Sequence, residues 1–231
     1  MLYGWLRRSR PAVCVLTEAG GRIARTRELL RSLQVPQGPI FGRFADRDLY
    51  DAILRGDAEL LSSLATEVAD LLVAQRAMAI VADAAEGYNP AHDLCGMIAG
   101  AACELAHRAG VEVRQYDFAV VNESDALSGD VIELDDDEFA AKMAAARAMA
   151  PVLNDVDEML ARFGEEAFRR ETLRRVGDWT ADRFTGTPRY EHFGEERAAA
   201  GRYARVIRRR EHLVPLRDAL CEWLESARCV F

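Results

Sequence analysis

The stretch MAIVADAAEGYNPAHD (residues 78–93) contains a change from a strand pattern to a helix pattern. Residues 78–82 form a short apolar run with the length of a buried strand, and the helical pattern that follows runs on to Gly110. Pro90 suits the first turn of that helix, because a helix needs no backbone N–H there. A strand leading through a polar turn into a helix is the repeating unit of α/β proteins, whose ligands bind at the carboxyl ends of the strands. The stretch therefore predicts a parallel sheet with a site at the turn.

The residues on both sides repeat this alternation. Strand patterns occur at PAVCVLTE, PIFGRF and VEVRQYDFAVVN (residues 11–18, 39–44 and 111–122), and helix patterns at residues 22–34, 57–75 and 93–110. ADRDLYDAI (residues 45–53) is predicted to be a loop. The order predicts an α/β fold with a Rossmann-like, mostly parallel sheet flanked by helices, in a domain that covers residues 1–130.

Residues 131–231 are predicted to be almost wholly helical. The acidic run DDDE (residues 135–138) suits the start of a helix. Loops are predicted at Phe163-Gly164 and at FTGTPRYEHFG (residues 184–194), and the basic run RVIRRR (residues 205–210) is predicted to be a solvated helix face. We expect this helical half to pack on the first domain or to form an interface in a homo-oligomer.

Composition limits the class of protein. A net charge of -8 over 231 residues argues against broad, non-specific binding to nucleic acid. The five cysteines form no Cys-x-x-Cys pair, and no apolar run approaches the ~20 residues that cross a bilayer. The first residues lack the pattern of a signal peptide. We therefore expect a cytoplasmic protein that has no nucleic-acid or membrane partner.

The turn after the central strand carries the candidate chemistry. His92, in the first helical turn, is expected to point toward the crevice at the sheet edge, where a neutral imidazole can bind zinc. Asn89 can donate a hydrogen bond to a developing oxyanion, and Asp83, Glu86 or Asp93 can orient a neighbour or titrate. The alternative is structural: Asn-Pro is ordinary turn chemistry, Asp93 balances the helix dipole, and His92 is a surface residue.

The segment from this strand through GYNPAHDLCGMIAGAACELA (residues 87–106) resembles the PIG-L/LmbE family of zinc-dependent N-deacetylases, in which a strand is followed by a His-Pro-x-His-type motif that opens a helix. Three upstream stretches are similar in the same order: VCVLTEAGG, RTRELLRSLQVP and IFGRFADRDLY (residues 13–21, 25–36 and 40–50). The resemblance covers roughly residues 1–125. It implies a metal-dependent hydrolase acting on an N-acyl amino sugar or a similar small polar conjugate.

The resemblance assigns roles residue by residue. His92 matches the family's zinc-ligating second His, and Asn89 stands where the family usually has another His, so acid catalysis is not implied at that position. Asp93 is a candidate to support the ligands from behind. The family's His-Pro-Asp-Asp-Glu segment, with two metal ligands and the general base, has no counterpart in this sequence. We therefore expect weak zinc binding or none, unless upstream residues or a partner chain supply the missing ligands.

The predicted loop at residues 184–194 is a second source of site residues. Its Tyr190, Glu191 and His192 are expected to approach the His92 crevice, from the same chain or from a symmetry partner, and, together with Glu86 and Tyr88, to contact substrate. The structural alternative is an ordinary helix-capping loop. The alternative function is a non-catalytic binding or scaffold protein on the same fold, with the helical half as its partner surface.

Overall fold

The computed structural model describes residues 2–18, 20–119, 129–149, 153–181 and 184–227. In chain order its helices and strands are α1 (Tyr3–Ser9), β1 (Val13–Glu18), α2 (Arg22–Ser32), β2 (Gln37–Ala45), α3 (Asp46–Arg55), α4 (Ala58–Ala74), β3 (Ala79–Asp83), α5 (Pro90–Arg108), β4 (Arg114–Phe118), β5 (Asp130–Glu133), α6 (Asp136–Ala148), α7 (Leu153–Phe163), β6 (Arg170–Arg175), α8 (Arg189–Ala199) and α9 (Val214–Ala227). A 3₁₀ turn, Glu165–Arg169, precedes β6, and a π-helical turn, Arg209–Leu213, precedes α9. The protein is therefore a mixed α/β protein, as the sequence predicts.

The chain divides into two compact units, each made of two separate segments. Unit 1 comprises Met1–Asp46 and Leu127–Leu173, and unit 2 comprises Arg47–Ala126 and Arg174–Phe231. Both units take chain from either side of residue 130, and the predicted division of domains at that residue stays a prediction.

Unit 1 contains one parallel and one antiparallel pair of strands. β1 and β2 pair in parallel from Val13↔Gln37 to Glu18↔Ala45, with two register shifts between them. β5 pairs antiparallel with the first part of β6. A hydrophobic cluster forms around Tyr3, Leu30, Leu33 and Val35.

A buried carboxylate fixes the first helix of unit 1. Glu171, on β6, accepts hydrogen bonds from the backbone N–H groups of Gly4 (3.0 Å) and Trp5 (3.1 Å). The ammonium group of Lys142 lies 3.1 Å from the same carboxylate. The orphan amides at the start of α1 are thus satisfied, and the charge of Glu171 is neutralised.

Unit 2 packs helices on a short sheet. β3 and β4 pair in parallel from Ala79↔Arg114 to Asp83↔Phe118, and β4 pairs antiparallel with Arg174 and Arg175 at the end of β6. α5 contacts both β3 and β4, and α4 and α9 pack on α5. In the part of the chain that the structure describes, no strand pairs with the other edge of β3.

Periodicity explains the helices of unit 2. α4 buries Leu61, Leu64, Val68 and Leu72 along one stripe, and it begins where the Asp57 carboxylate accepts a hydrogen bond from the backbone N–H of Leu60 (3.0 Å).

Of the helices in the described segments, none combines the length and the apolar character needed to cross a membrane.

Two predictions of secondary structure are wrong. Residues 45–53 were expected to form a loop, but α3 occupies most of them, because Leu49, Ala52 and Ile53 have helical spacing and are buried. The region after residue 131 is not wholly helical, because it contains β6 and most of β5. These two strands bury only two apolar residues, Ile132 and Leu173. Two buried positions are too few to give a clear strand pattern in the sequence.

Candidate functional site

The turn between β3 and α5 has the local structure that its residues dictate. Gly87 has φ +66°, a conformation that glycine adopts without strain. Asn89 is extended and caps α5, since its Oδ1 accepts a hydrogen bond from the backbone N–H of Ala91 (2.9 Å). Pro90 occupies the first helical position, as predicted. The turn follows the carboxyl end of β3, a strand that pairs in parallel with β4.

His92 and Asp83 come together at this edge. His92 Nε2 lies 4.0 Å from Asp83 Oδ2, and each side chain keeps 27% of its surface exposed. The distance is longer than a hydrogen bond. The two groups form an ion pair only when the imidazole is protonated. The Tyr88 ring is 6.3 Å from the His92 ring, and the Arg189 guanidinium lies over Tyr88 at 5.2 Å. His92 is therefore half-buried among polar and aromatic groups.

Asp93 lies behind the turn. It is 1% exposed, so it cannot contact a substrate in this conformation. Its Oδ1 accepts a hydrogen bond from the backbone N–H of Gly87 (3.3 Å), and its Oδ2 pairs with Arg209 Nη1 at 3.2 Å. Asp93 can therefore act on the site only through the residues that it holds.

Asn89 has its side-chain oxygen engaged in two contacts. Besides capping α5, the oxygen lies 3.4 Å from the hydroxyl of Tyr50, which donates to it. The amide nitrogen is thus the group of Asn89 with which an oxyanion could interact. Glu86 is half-buried within the same turn, next to Gly87.

Residues 189–194 belong to α8, which corrects the prediction that Tyr190, Glu191 and His192 lie in a loop. Gly194 lets Val206 pack closely against this helix, since a Cβ at Gly194 would come within 2.8 Å of the Val206 side chain. The segment does approach the turn within the same chain, since the backbone N–H of Tyr190 donates to the Gly87 carbonyl (3.3 Å).

The three predicted residues of α8 have different environments. Tyr190 is buried, and its hydroxyl forms no hydrogen bond of suitable geometry with the described residues. Burial, with a smaller effect of Asp93, raises the pKa of the Tyr190 phenol, while Arg209 opposes the change. Glu191 Oε1 accepts a hydrogen bond from the backbone N–H of Arg209 (2.9 Å). His192 is exposed on α8.

The described residues do not complete a zinc site. A catalytic zinc centre usually has three protein ligands. His92 and Asp83 provide two donors of suitable type, but nowhere in the described segments do three His, Cys, Asp or Glu side chains lie together as a metal would require.

Arg209 is the main residue that sequence reasoning missed. The run at residues 205–210 was predicted to be a solvated helix face, yet Arg209 is buried, and the segment before it is irregular. A signal was available in the spacing, because Arg209 lies four residues before Leu213 and seven before Leu216, both fully buried. A charged residue in phase with an apolar stripe indicates a buried partner of opposite charge.

Comparison with known proteins gives no family model, no curated protein and no solved structure that matches this chain. The resemblance to the PIG-L/LmbE family therefore stays a prediction from the four sequence motifs.

Proposed function

We propose that the chain is a metal-dependent hydrolase of the PIG-L/LmbE type, built on a Rossmann-like sheet, that removes the acyl group of an N-acyl amino sugar or a similar small polar conjugate. The observation that carries this proposal is the placement of His92 beside Asp83 at the carboxyl end of a parallel strand. Ligands of open α/β sheets bind at this edge. A half-buried imidazole next to a carboxylate is a recurring arrangement in hydrolytic sites.

The roles follow from what each side chain can reach. His92 is assigned as a zinc ligand, with Asp83 as the nearest second donor. The amide nitrogen of Asn89 is assigned to the oxygen that gains charge when the acyl carbonyl is attacked. Tyr88 and Glu86, both half-buried in the turn, are assigned to the substrate. Asp93 and Glu191 are assigned to support, because each holds backbone rather than facing solvent.

Acetate release tests this function. The purified chain is incubated with an N-acetylated amino sugar and excess zinc, and free acetate is followed by NMR. We expect release from the wild type, its loss in His92→Ala, and wild-type release from the matched control His107→Ala, a histidine near the other end of the same helix. Equal release from wild type and His92→Ala would refute the assignment of His92.

A non-catalytic binding or scaffold role is the second candidate. It is favoured by two large apolar side chains in the second half of the chain, Phe193 (46% exposed) and Tyr203 (42% exposed). Exposed aromatic side chains are common in protein interfaces. This role predicts no acetate release at any zinc concentration, so the same assay separates the two candidates.

A further inference from the structure

We infer that Arg209 is a positioning residue that fixes His92 through Asp93 and the Gly87 turn. We call the set Gly87, Asp93, Tyr190, Glu191 and Arg209 the clamp. The inference rests on the proposed function only for the role of His92, since the geometry of the clamp is independent of any reaction.

The first step is the link from Asp93 to the turn. Both backbone polar groups of Gly87 are held, the N–H by Asp93 Oδ1 and the carbonyl by the N–H of Tyr190, each at 3.3 Å. The turn is also tightly enclosed, since a Cβ on Gly87 would come within 2.6 Å of the Phe184 ring. The turn is therefore fixed from two sides by α5 and by the start of α8.

The second step is the anchoring of Arg209. Its backbone N–H donates to Glu191 Oε1 (2.9 Å), and its guanidinium lies 5.4 Å from the centre of the Phe184 ring. Its side chain is 9% exposed, and the Asp93 side chain is 0% exposed. The pair is thus almost completely removed from water and closely packed on an aromatic ring.

The third step concerns why such a pair exists. A buried ion pair contributes little net stability, because removing two charges from water offsets their attraction. Here the pair fixes the position of the turn, since the Asp93 carboxylate can accept the hydrogen bond from Gly87 only while Arg209 neutralises its charge. His92 immediately precedes Asp93 in the first turn of α5. A movement that releases Asp93 therefore moves His92 away from Asp83.

The test measures the position of His92 without any reaction. Hydrogen exchange is followed for the peptide spanning residues 84–93, and carbethoxylation of His92 is followed by mass spectrometry, with His192 as an internal reference in each sample. Asp93→Leu/Arg209→Met removes both charges while keeping an apolar pair of similar volume. Arg210→Met, at the neighbouring exposed arginine, is the matched control.

We expect the double variant to stay folded, while both the exchange of residues 84–93 and the reactivity of His92 rise about tenfold, because a hydrogen bond to a charged group is lost. Arg210→Met should match the wild type. Wild-type exchange and reactivity in the double variant would overturn the inference. If the double variant fails to fold, Arg209→Lys decides, with intermediate reactivity expected and wild-type reactivity as the contradicting result. Acetate release plays no part, so failure of the proposed hydrolase would leave this result standing.

Discussion

At the scale of single residues, both units contain the same arrangement: a buried carboxylate accepts a hydrogen bond from at least one backbone N–H and is neutralised by one basic side chain. Glu171 does so with Lys142 in unit 1, and Asp93 does so with Arg209 in unit 2. Burial lowers the pKa of the Lys142 ammonium, and Glu171 opposes that effect. Each pair therefore becomes costly once one partner is removed.

Lys142→Ala should lower the free energy of unfolding by about 3–5 kcal/mol, because Glu171 is left charged and buried. Arg147→Ala is a control on the same helix, since Arg147 pairs with Glu165 at 2.7 Å on the surface. That variant should lose at most about 1 kcal/mol. Urea unfolding measures both, and equal losses would contradict the argument.

Cys103 should make the protein sensitive to alkaline pH. Burial raises the pKa of its thiol from the ordinary 9.0 to about 12. A raised pKa means that the folded state keeps a proton that the unfolded state loses, so this contribution is complete below pH 9.0 and is lost as the pH rises toward about 12. Urea midpoints measured across that range should fall less steeply for Cys103→Ala than for the wild type. Parallel curves for the two proteins would show that burial does not keep the Cys103 thiol protonated in this pH range.

Residue patterns predicted the groups at the turn better than those behind it. His92, Asn89 and Pro90 follow from local helix-start chemistry, which needs only neighbouring residues. The burial of Asp93 and the identity of its partner did not follow, because Arg209 lies far along the chain. A pairing across such a distance has no local pattern, and only the phase of Arg209 with Leu213 hinted at it.

At the scale of elements, two glycines of α5 have opposite environments. A Cβ at Gly100 would overlap the Trp179 ring, whereas a Cβ at Gly96 would meet only the Asp83 carbonyl at 3.6 Å, an ordinary contact. Gly100→Ala should therefore destabilise the protein by about 1–3 kcal/mol through overpacking. Gly96→Ala should stabilise it by about 0.5–1 kcal/mol, because alanine favours helix. Thermal unfolding compares them, and destabilisation of similar size in both would show that the Trp179 contact is not responsible.

The cap of α5 can be separated from the proposed chemistry of Asn89. Asn89→Ala should lower stability by about 0.5–2 kcal/mol, because the N–H of Ala91 loses its acceptor. Asn89→Ser should keep stability, since serine also caps, but it lacks the amide nitrogen. Acetate release that survives in Asn89→Ser would remove Asn89 from the proposed oxyanion contact.

Strand and helix patterns were reliable where one face is apolar. α4 and α5 were predicted close to their observed bounds because their buried residues recur at helical spacing. β6 was missed because its buried positions are Glu171 and Leu173, so a charged residue interrupts the alternation. The carboxylate is buried only because Lys142 and the start of α1 satisfy it, and those partners lie elsewhere in the sequence.

At the scale of the whole molecule, β3 has a strand edge on which a second molecule could pair. Its backbone is paired on one edge within the described residues, and two large apolar side chains are exposed in or next to the strand, Met78 (74%) and Val81 (39%). Unpaired edge strands tend to pair between molecules, and the one charged residue of β3 is Asp83 at its end. Val81→Lys should reduce light scattering at high protein concentration, whereas Gln75→Lys, the same charge change at an exposed site off the strand, should not. Equal effects would point to net charge instead of the edge.

The discontinuity of unit 1 has a consequence for its synthesis. Its first segment ends at Asp46, but the chain that completes the unit ends at Leu173. At ~5–20 residues per second, a ribosome needs roughly 6–25 s to make the intervening length. During that interval β1 and β2 can pair with each other, but Glu171 and Lys142 do not yet exist to hold α1. A nascent chain stalled before residue 170 should therefore bind chaperones through this first segment, and one released after residue 173 should not.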